Sequence, residues 1–498
     1  MADTREATFC PPQRVQNMRE LTEEGKLMFR KEVMLPAIII PANHINRLVG
    51  SKIIFDRTIK RLSNRIKPIA DVPSTSSKCI LFDPGLVNEE TCRAEILKNI
   101  SQLTDLSSVQ FEQRNLTIEY EDWTAKQCIN AILPNGLLFS GFSQVGHIVH
   151  VNLREELLPY KLAIGKILLE KTNNCRTVVN KLESIENEYR VFELDLLAGE
   201  PDYEAEVREG GIRYKLDFSK VFWNSRLSSE HDRIVRQFNQ FSAVFDCCAG
   251  VGPFVLPAAK RGAPLILAND LNPESVKWLK TNIELNKSKT SKNEIQVFCM
   301  DACDFISTVV AQRIAEEAER YKRTNESTQE NDEKSNHQKA EIREVHLLMN
   351  LPAMSLTFLP QFRGLLTGLR PDEKLPFSVL IHCHLFVKAH QDEEESWYAE
   401  EAKRLVADSL GCPEMRFKNV HFVRKVAGRK EMYCVSFELS NELLFKEVVD
   451  GNRTSETCEE RGDSRGDSDS KKLNDIIKTD DLSPPQKMAK LQTEGENS

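Results

Sequence analysis

Between residues 242 and 272, short apolar runs alternate with polar punctuation in an order that predicts the elements. Ala243, Val244 and Phe245 form an uninterrupted apolar run closed by Asp246, the pattern of a strand buried on both faces. Ala249-Gly250-Val251-Gly252-Pro253 then permits a tight reversal with close backbone approach to a ligand, and Pro253 suits the first turn of a helix. Residues 265–268 make the next strand, with Asp270 at its C-terminal end, where an open parallel sheet places its ligands. Asn272-Pro273-Glu274 caps a helix carrying Val276, Leu279 and Ile283. The pattern recurs. Residues 295–300 predict a third strand ending in Asp301 and Ala302, residues 345–349 a fourth ending in Asn350-Leu351-Pro352-Ala353, and residues 377–382 a fifth. Residues 419–426 and 432–439, separated by Gly428-Arg429-Lys430, read as an antiparallel hairpin.

Upstream, strand candidates at 144–153 (QVGHIVHVNL) and 189–197 (YRVFELDLL) flank a helical stretch at 159–171. A hairpin follows, with strands at 203–207 and 212–218 turning at Gly210-Gly211. His147 and His150 stand three apart in the first of these strands and so face opposite sides, as packed histidines do. Ser229 with Asp232 predicts a capping box, after which Ile234, Val235 and Phe238 recur at helical spacing. Glu230 thus falls in the first turn of a helix, where an acid satisfies the helix dipole whatever else it does.

A chain of 498 residues exceeds a single core. Residues 1–28 read as a loose tail, 29–122 and 123–217 as two small domains, and 218–440 as the unit organised around the strand-end acids. Residues 313–344 form a charged insertion and 441–498 a polar tail. The formal charge of -8 argues against a nucleic-acid partner until it is located, because the tail contributes -5 and the insertion -2. The remainder is nearly neutral, and residues 26–67 are strongly basic with apolar residues interleaved. That stretch fits a solvated face or a phosphate-contacting surface equally. The thirteen cysteines lie scattered, many in apolar runs, which is reduced, intracellular usage with no metal-ligand spacing. The early acids Asp3, Glu6 and Glu20 make a poor mitochondrial presequence.

A carboxylate at the end of the second strand suits the ribose of an adenosine cofactor. A dinucleotide fingerprint needs a third glycine where this chain has Val255, and Asp246 fits a sulfonium and amino group better than a pyrophosphate, so S-adenosylmethionine leads over NAD. Asn350 offers an amide that both donates and accepts, matching the edge of a heterocyclic base.

Over residues 29–439 the chain resembles the eukaryotic and archaeal tRNA (guanine-37) N1-methyltransferases, through SGFSQVGHIVHVNLR (140–154), YRVFELDLLAGE (189–200), DFSKVFWNSRLSSEHDRI (217–234), FDCCAGVGPF (245–254), ANDLNPES (268–275) and MNLPA (349–353). The resemblance implies an α/β class I methyltransferase fold, Rossmann-like, with a mostly parallel sheet and a C-terminal antiparallel hairpin. Two smaller α+β domains precede it, the first of them touching tRNA. It implies methyl transfer from S-adenosylmethionine to N1 of guanosine-37, in support of reading-frame maintenance. Glu230 is then the general base, and Arg190 and Asn350 contact the guanine, whose pocket Phe222 and Arg226 shape. His231, Asp270, Leu271, Asp301, Ala302 and Asn350 occupy cofactor positions, alongside Asp246, Gly250 and Gly252. A monomer in cytoplasm and nucleus, and in mitochondria for some members, is expected by the same resemblance. Ala353 stands where the family often has a second proline, and Cys247-Cys248 replace bulkier residues, for which small effects on the pocket are expected. The related aminocarboxypropyl transferase of the wybutosine pathway shares this architecture, and a non-catalytic tRNA-binding protein on the same fold is the other alternative.

Overall fold

The computed structural model describes residues 8–104, 106, 109–182, 193–287, 293–328, 341–369 and 374–445. Its contacts divide the chain into two compact units, one running to Lys181 and including Leu194–Asp202, the other taking the rest.

The first unit holds two sheets. In one, β1 (Lys31–Pro41), β2 (Ile69–Asp71), β3 (Ser77–Leu81) and β4 (Phe111–Ile118) pair antiparallel in the order β2-β3-β1-β4. In the other, β5 (Ser143–Val145), β6 (Ile148–Val151), β7 (Thr177–Lys181) and β8 (Leu194–Gly199) lie in sequence order, with only β6 and β7 parallel. Parallel neighbours need a crossover, and helix α1 (Lys161–Lys171) supplies it, burying Ala163, Ile164, Ile167 and Leu168. The strand expected over 144–153 is instead the hairpin β5–β6, reversed at Gly146-His147. One interior serves both sheets. Phe29, Leu35 and Ile118 cluster with Trp123, Ile129, Val149 and Ile164, and Trp123 Nε1 donates to the Phe29 carbonyl at 3.1 Å. Part of the basic stretch is neutralised within this unit: Lys26 pairs with Glu23 and Glu170, Arg57 with Glu95, and Arg65 with Glu119 and Asp122.

The second unit opens with the hairpin of β9 (Glu204–Glu209) and β10 (Ile212–Asp217). Its main sheet comprises β11 (Ser242–Asp246), β12 (Leu265–Asn269), β13 (Glu294–Phe298), β14 (Glu344–Met349), β15 (Ser378–Lys388), β16 (Phe417–Ala427) and β17 (Lys430–Glu438). The order is β13-β12-β11-β14-β15-β17-β16, parallel through β15 and antiparallel beyond it. Every residue of β11 and β12 is buried, as expected for central strands covered on both faces. Strand order reverses at β11 and β14, the switch point where open sheets bind ligands.

Helix α2 (Ser228–Val235) precedes β11, α3 (Val255–Lys260) and α4 (Pro273–Leu285) flank β12, and α5 (Ala311–Thr328) follows β13. The expected Ser229 capping box does not form. Ser229 lies inside α2, which the chain enters through a 3-10 turn, Ser225–Leu227, where Asn224 Oδ1 accepts from Arg226 N at 3.1 Å. The charged stretch from 313 begins as packed helix, with Ile314 and Ala318 in the core, while residues 329–340 and those beyond 445 lie outside the described residues. The β9–β10 hairpin, expected in the domain before residue 218, is bound to α4: Asn282 accepts from Lys215 N at 2.7 Å and donates to Lys215 O at 3.0 Å, and Asn286 repeats this pairing on Arg213.

Candidate active site

At the C-terminal end of β11, Asp246 is fully buried, and Oδ1 accepts from Cys248 N at 3.3 Å while Oδ2 has no hydrogen-bond partner. Burial pushes this carboxyl up to about 7, with the charge of Asp270 adding to the effect. The loop after it is shaped by two glycines. Gly252 has φ 99°, and a Cβ there would stand 2.6 Å from Leu279 Cδ1; Gly250 has φ 54° with open space where a Cβ would go. Gly250 N donates to Asp270 Oδ2 at 2.8 Å, and Asn272 N to Asp270 Oδ1 at 2.9 Å. Asp270 therefore ties the glycine loop to the start of α4, and burial raises its pKa too.

Asn269, which the sequence reading passed over, fastens three strand ends together. Fully buried at the end of β12, it donates to the carbonyls of Cys247 and Met300 at 3.1 and 3.0 Å and accepts from Met300 N. Asp301 Oδ1 accepts from Cys303 N at 2.7 Å, with Ala302 buried behind it and Leu271 partly exposed. The Cys248 thiol is pushed up by burial, by Cys247, and by the charges of Asp270, Asp246 and Asp301. Asn350 follows β14, next to β11, and its Oδ1 is buried with no partner. Two buried acceptor oxygens thus lie unsatisfied at adjacent strand ends, where polar atoms are normally paired.

Glu230 is 2% exposed, far from a solvated first-turn acid. Arg233 grips it as a fork, Nε to Oε2 at 2.6 Å and Nη2 to Oε1 at 2.7 Å, and His384 Nε2 lies 2.8 Å from Oε1. Burial would raise its pKa, but Arg233 and His384 outweigh burial and hold it down to about 2. His384, on β15 and fully buried, is pushed up to about 10 against its own burial by Cys434 and Glu230. His421 Nε2 of β16 stands 3.6 Å from Oε2. Glu230, His384 and Cys434 present ligand atoms within 4.8 Å of one another, yet the Arg233 fork already engages both carboxylate oxygens, making this a salt-bridged network. His384 also acts on the charge of Asp246 and so links the two carboxylates.

Of the other expected residues, His231 Nδ1 pairs with Glu209 Oε1 at 2.7 Å and meets Phe254 edge-on, Phe222 is 52% exposed, and Arg226 is exposed on the 3-10 turn. Arg190 lies outside the described residues. Arg233 and His384 escaped the sequence reading. The alternation in His382-Cys383-His384 marks a strand with two histidines on one face, but nothing local ties it to a glutamate 154 positions away.

Residues 205–326 match the TRM5/TYW2 methyltransferase domain, and residues 125–202 the TYW2 N-terminal domain. The tRNA (guanine(37)-N(1))-methyltransferase of Caenorhabditis elegans is 40% identical over 447 residues, covering 88% of this chain and 91% of that protein. The Danio rerio protein of the same name is 37% identical over 458 residues, covering 90% and 87%. Among solved structures, wild-type Trm5b from Pyrococcus abyssi shares the fold, with a TM-score of 0.51 at 22% identity over 80% of this chain and 98% of that one.

Proposed function

The chain belongs to the tRNA (guanine(37)-N(1))-methyltransferase family, and on that premise we propose that it methylates N1 of guanosine-37 in tRNA, using S-adenosylmethionine held at the strand ends and Glu230 as proton acceptor. The observation that carries the cofactor assignment is the unpartnered buried oxygen of Asp246 beside a glycine turn open at Gly250. An acceptor so placed suits an ammonium, Asp270 suits the ribose hydroxyls, and Asp301 with Ala302 suits the adenine edge. When bound, the cofactor supplies a methyl group activated on a sulfonium.

Guanine N1 carries a proton at neutral pH, and its lone pair becomes available only as that proton leaves. Glu230 is held ionised, the state a base needs, although the same two cations weaken its proton affinity. Its oxygens are not equivalent. Oε1 accepts from both Arg233 and His384, whereas Oε2 accepts from Arg233 alone and keeps acceptor capacity towards His421. Guanine N1–H is therefore assigned to Oε2. Asn350 Oδ1, lacking a partner, suits the guanine amino group, and Arg190 is assigned to O6, where negative charge builds as the proton departs.

Digesting tRNA to nucleosides after incubation with methyl-labelled cofactor tests the reading, and 1-methylguanosine at position 37 is the expected product. A parallel incubation with cofactor labelled in its aminocarboxypropyl portion separates the rival transferase, because that reaction leaves the methyl group behind on the thioether product. Incorporation from this label and not from the methyl label would favour the rival, which the match at residues 125–202 supports. No incorporation from either label would leave a binding protein. A monomeric state and action in cytoplasm and nucleus belong to the same proposal, and light scattering and cell fractionation test them.

A further inference from the structure

The pairing of β16 with β17 slips three times, between Phe417 and Asn419, Phe422 and Arg424, and Lys425 and Ala427, and between the first two slips the register is regular. There His421 stands opposite Cys434, which in turn stands opposite His384 of β15. Residues directly opposite share a face, so His384, Cys434 and His421 form one row across three strands. Phe422, the next residue, points the other way, against the ring of Tyr433 at 5.7 Å. Helix α2 lies over the row. Ile234 and Val235 pack with Cys434, while Glu230 takes His384 on Oε1 and comes within 3.6 Å of His421 Nε2 with Oε2.

Glu230, held down to about 2, cannot keep at neutral pH a proton taken from guanine, so the proton has to go on. Arg233 is already charged, and His384, pushed up to about 10, is charged as well. Both donate to Glu230, and neither has room for another proton. His421 is different. Burial and then Arg233 lower its pKa, Glu230 opposes them, and His384 lowers it further, while Cys434 is the titratable neighbour on β17. A neutral imidazole keeps one ring nitrogen able to accept a proton. Its side chain is also 41% exposed, whereas those of Glu230 and His384 are 2% and 0% exposed.

We propose that His421 relays the proton, which passes from guanine N1 to Glu230 Oε2, from Oε2 to His421 Nε2, and from the half-exposed ring to water. The N1–H bond breaks as N1 gains the methyl carbon, the O–H bond on Oε2 forms and breaks in turn, and Glu230 ends as the carboxylate it began. Beside Arg233, Oε2 has one acceptor site left, so guanine and His421 use it in succession. Methylated guanine has no N1 proton with which to hold that site. Contacts such as the 3.6 Å separation tighten when substrate binds. This inference rests on the guanine-N1 reading and deepens the role given there to Glu230.

The experiment measures single-turnover methylation of tRNA from pH 5 to pH 8 by wild type, His421→Ala and His421→Gln, each with and without free imidazole. Saturating cofactor keeps the titration of Asp246 out of the profile. His421 must be neutral to accept, so the wild-type rate is expected to rise with pH through a value below the usual 6.5 and then level off. His421→Ala should be slower by about 10², the lower end of what a general acid or base contributes, and should lose that limb. Imidazole should restore its rate in proportion to the unprotonated fraction, and should help His421→Gln less because the longer side chain fills the gap. Adding His421→Ala to Glu230→Gln should cost little more, because a relay through Glu230 then has nothing to carry. A His421→Ala rate near that of wild type with the acid limb intact would overturn the relay. So would a slow variant that keeps the limb and ignores imidazole, since a residue that merely packs β16 behaves in that way. Should His421→Ala fail to fold, His421→Gln carries the pH comparison. Wild type that makes no 1-methylguanosine would overturn reaction and relay together, whereas the correct product with either of those results would remove the relay alone.

Discussion

Two buried carboxylates, one in α2 and one at the end of β11, are driven in opposite directions by their surroundings. Glu230 is surrounded by donors and pulled down to about 2, whereas Asp246 has one weak backbone donor and burial pushes it up to about 7. Below pH 7 Asp246 carries a proton that an ammonium ligand must displace. Cofactor affinity is therefore expected to rise as pH climbs through 7 and to level off above it. Calorimetry between pH 5.5 and 8.5 checks this, with Asp246→Asn giving a weaker and flatter profile. For Glu230 the charge matters more than the shape. Glu230→Gln cannot take a proton, so the single-turnover rate should drop about 10² to 10⁴, the usual contribution of a general base. Cofactor affinity should change little, and the residual rate should rise with pH as solvent takes over. A rate within a few-fold of wild type, with chemistry limiting in both, would reduce Glu230 to a buried partner of Arg233 and His384.

At the scale of elements, strand ends were legible and side-chain substitutes for backbone were not. The acids closing β11 and following β12 could be read because a doubly covered strand must be a near-continuous apolar run and the first acid marks its end, whereas β13 is only partly buried along its length. The start of α2 was misplaced because Asn224, four residues earlier, serves the entering turn and makes a Ser229 cap redundant. Asn282 was invisible for another reason. In sequence it is one polar position on an amphipathic helix, yet it is fully buried and bonds both backbone groups of Lys215 as well as the Val251 carbonyl at 3.2 Å. Asn282→Ala would strand those groups in a packed interface and should cost about 2 to 4 kcal/mol, since each buried unsatisfied group costs about 1 to 3 kcal/mol. Urea denaturation with an unchanged m-value would report it.

For the molecule as a whole, division of labour follows the shared interior and not the composition shifts. The boundary read at residue 122 cuts between Phe29 and Trp123, which share a core and a hydrogen bond. A chain beginning at Trp123 would expose that core and should be poorly soluble. One beginning at Tyr203 keeps β9 to β17 and should bind cofactor with native affinity while losing tRNA affinity and much of its salt dependence. Equal tRNA binding by that shorter chain would show that the first unit contributes nothing to recognition. His421 could not be foreseen at any scale from sequence, because its approach to Glu230 depends on the pairing of β16 with β17 and not on the residue itself.

Strand β16 is also one of the two rims of its sheet among the described residues, eleven residues long, and a rim of that length is a template on which other chains can assemble into fibrils. Three interruptions in its ladder deny such a template its regular repeat. Deleting Val423 would straighten the middle of the rim, and the shortened protein is expected to turn cloudy on warming at temperatures where the native protein stays clear. The residue inserted between Phe422 and Arg424 would then act as a guard on shelf life, and turbidity on a slow thermal ramp would reveal it.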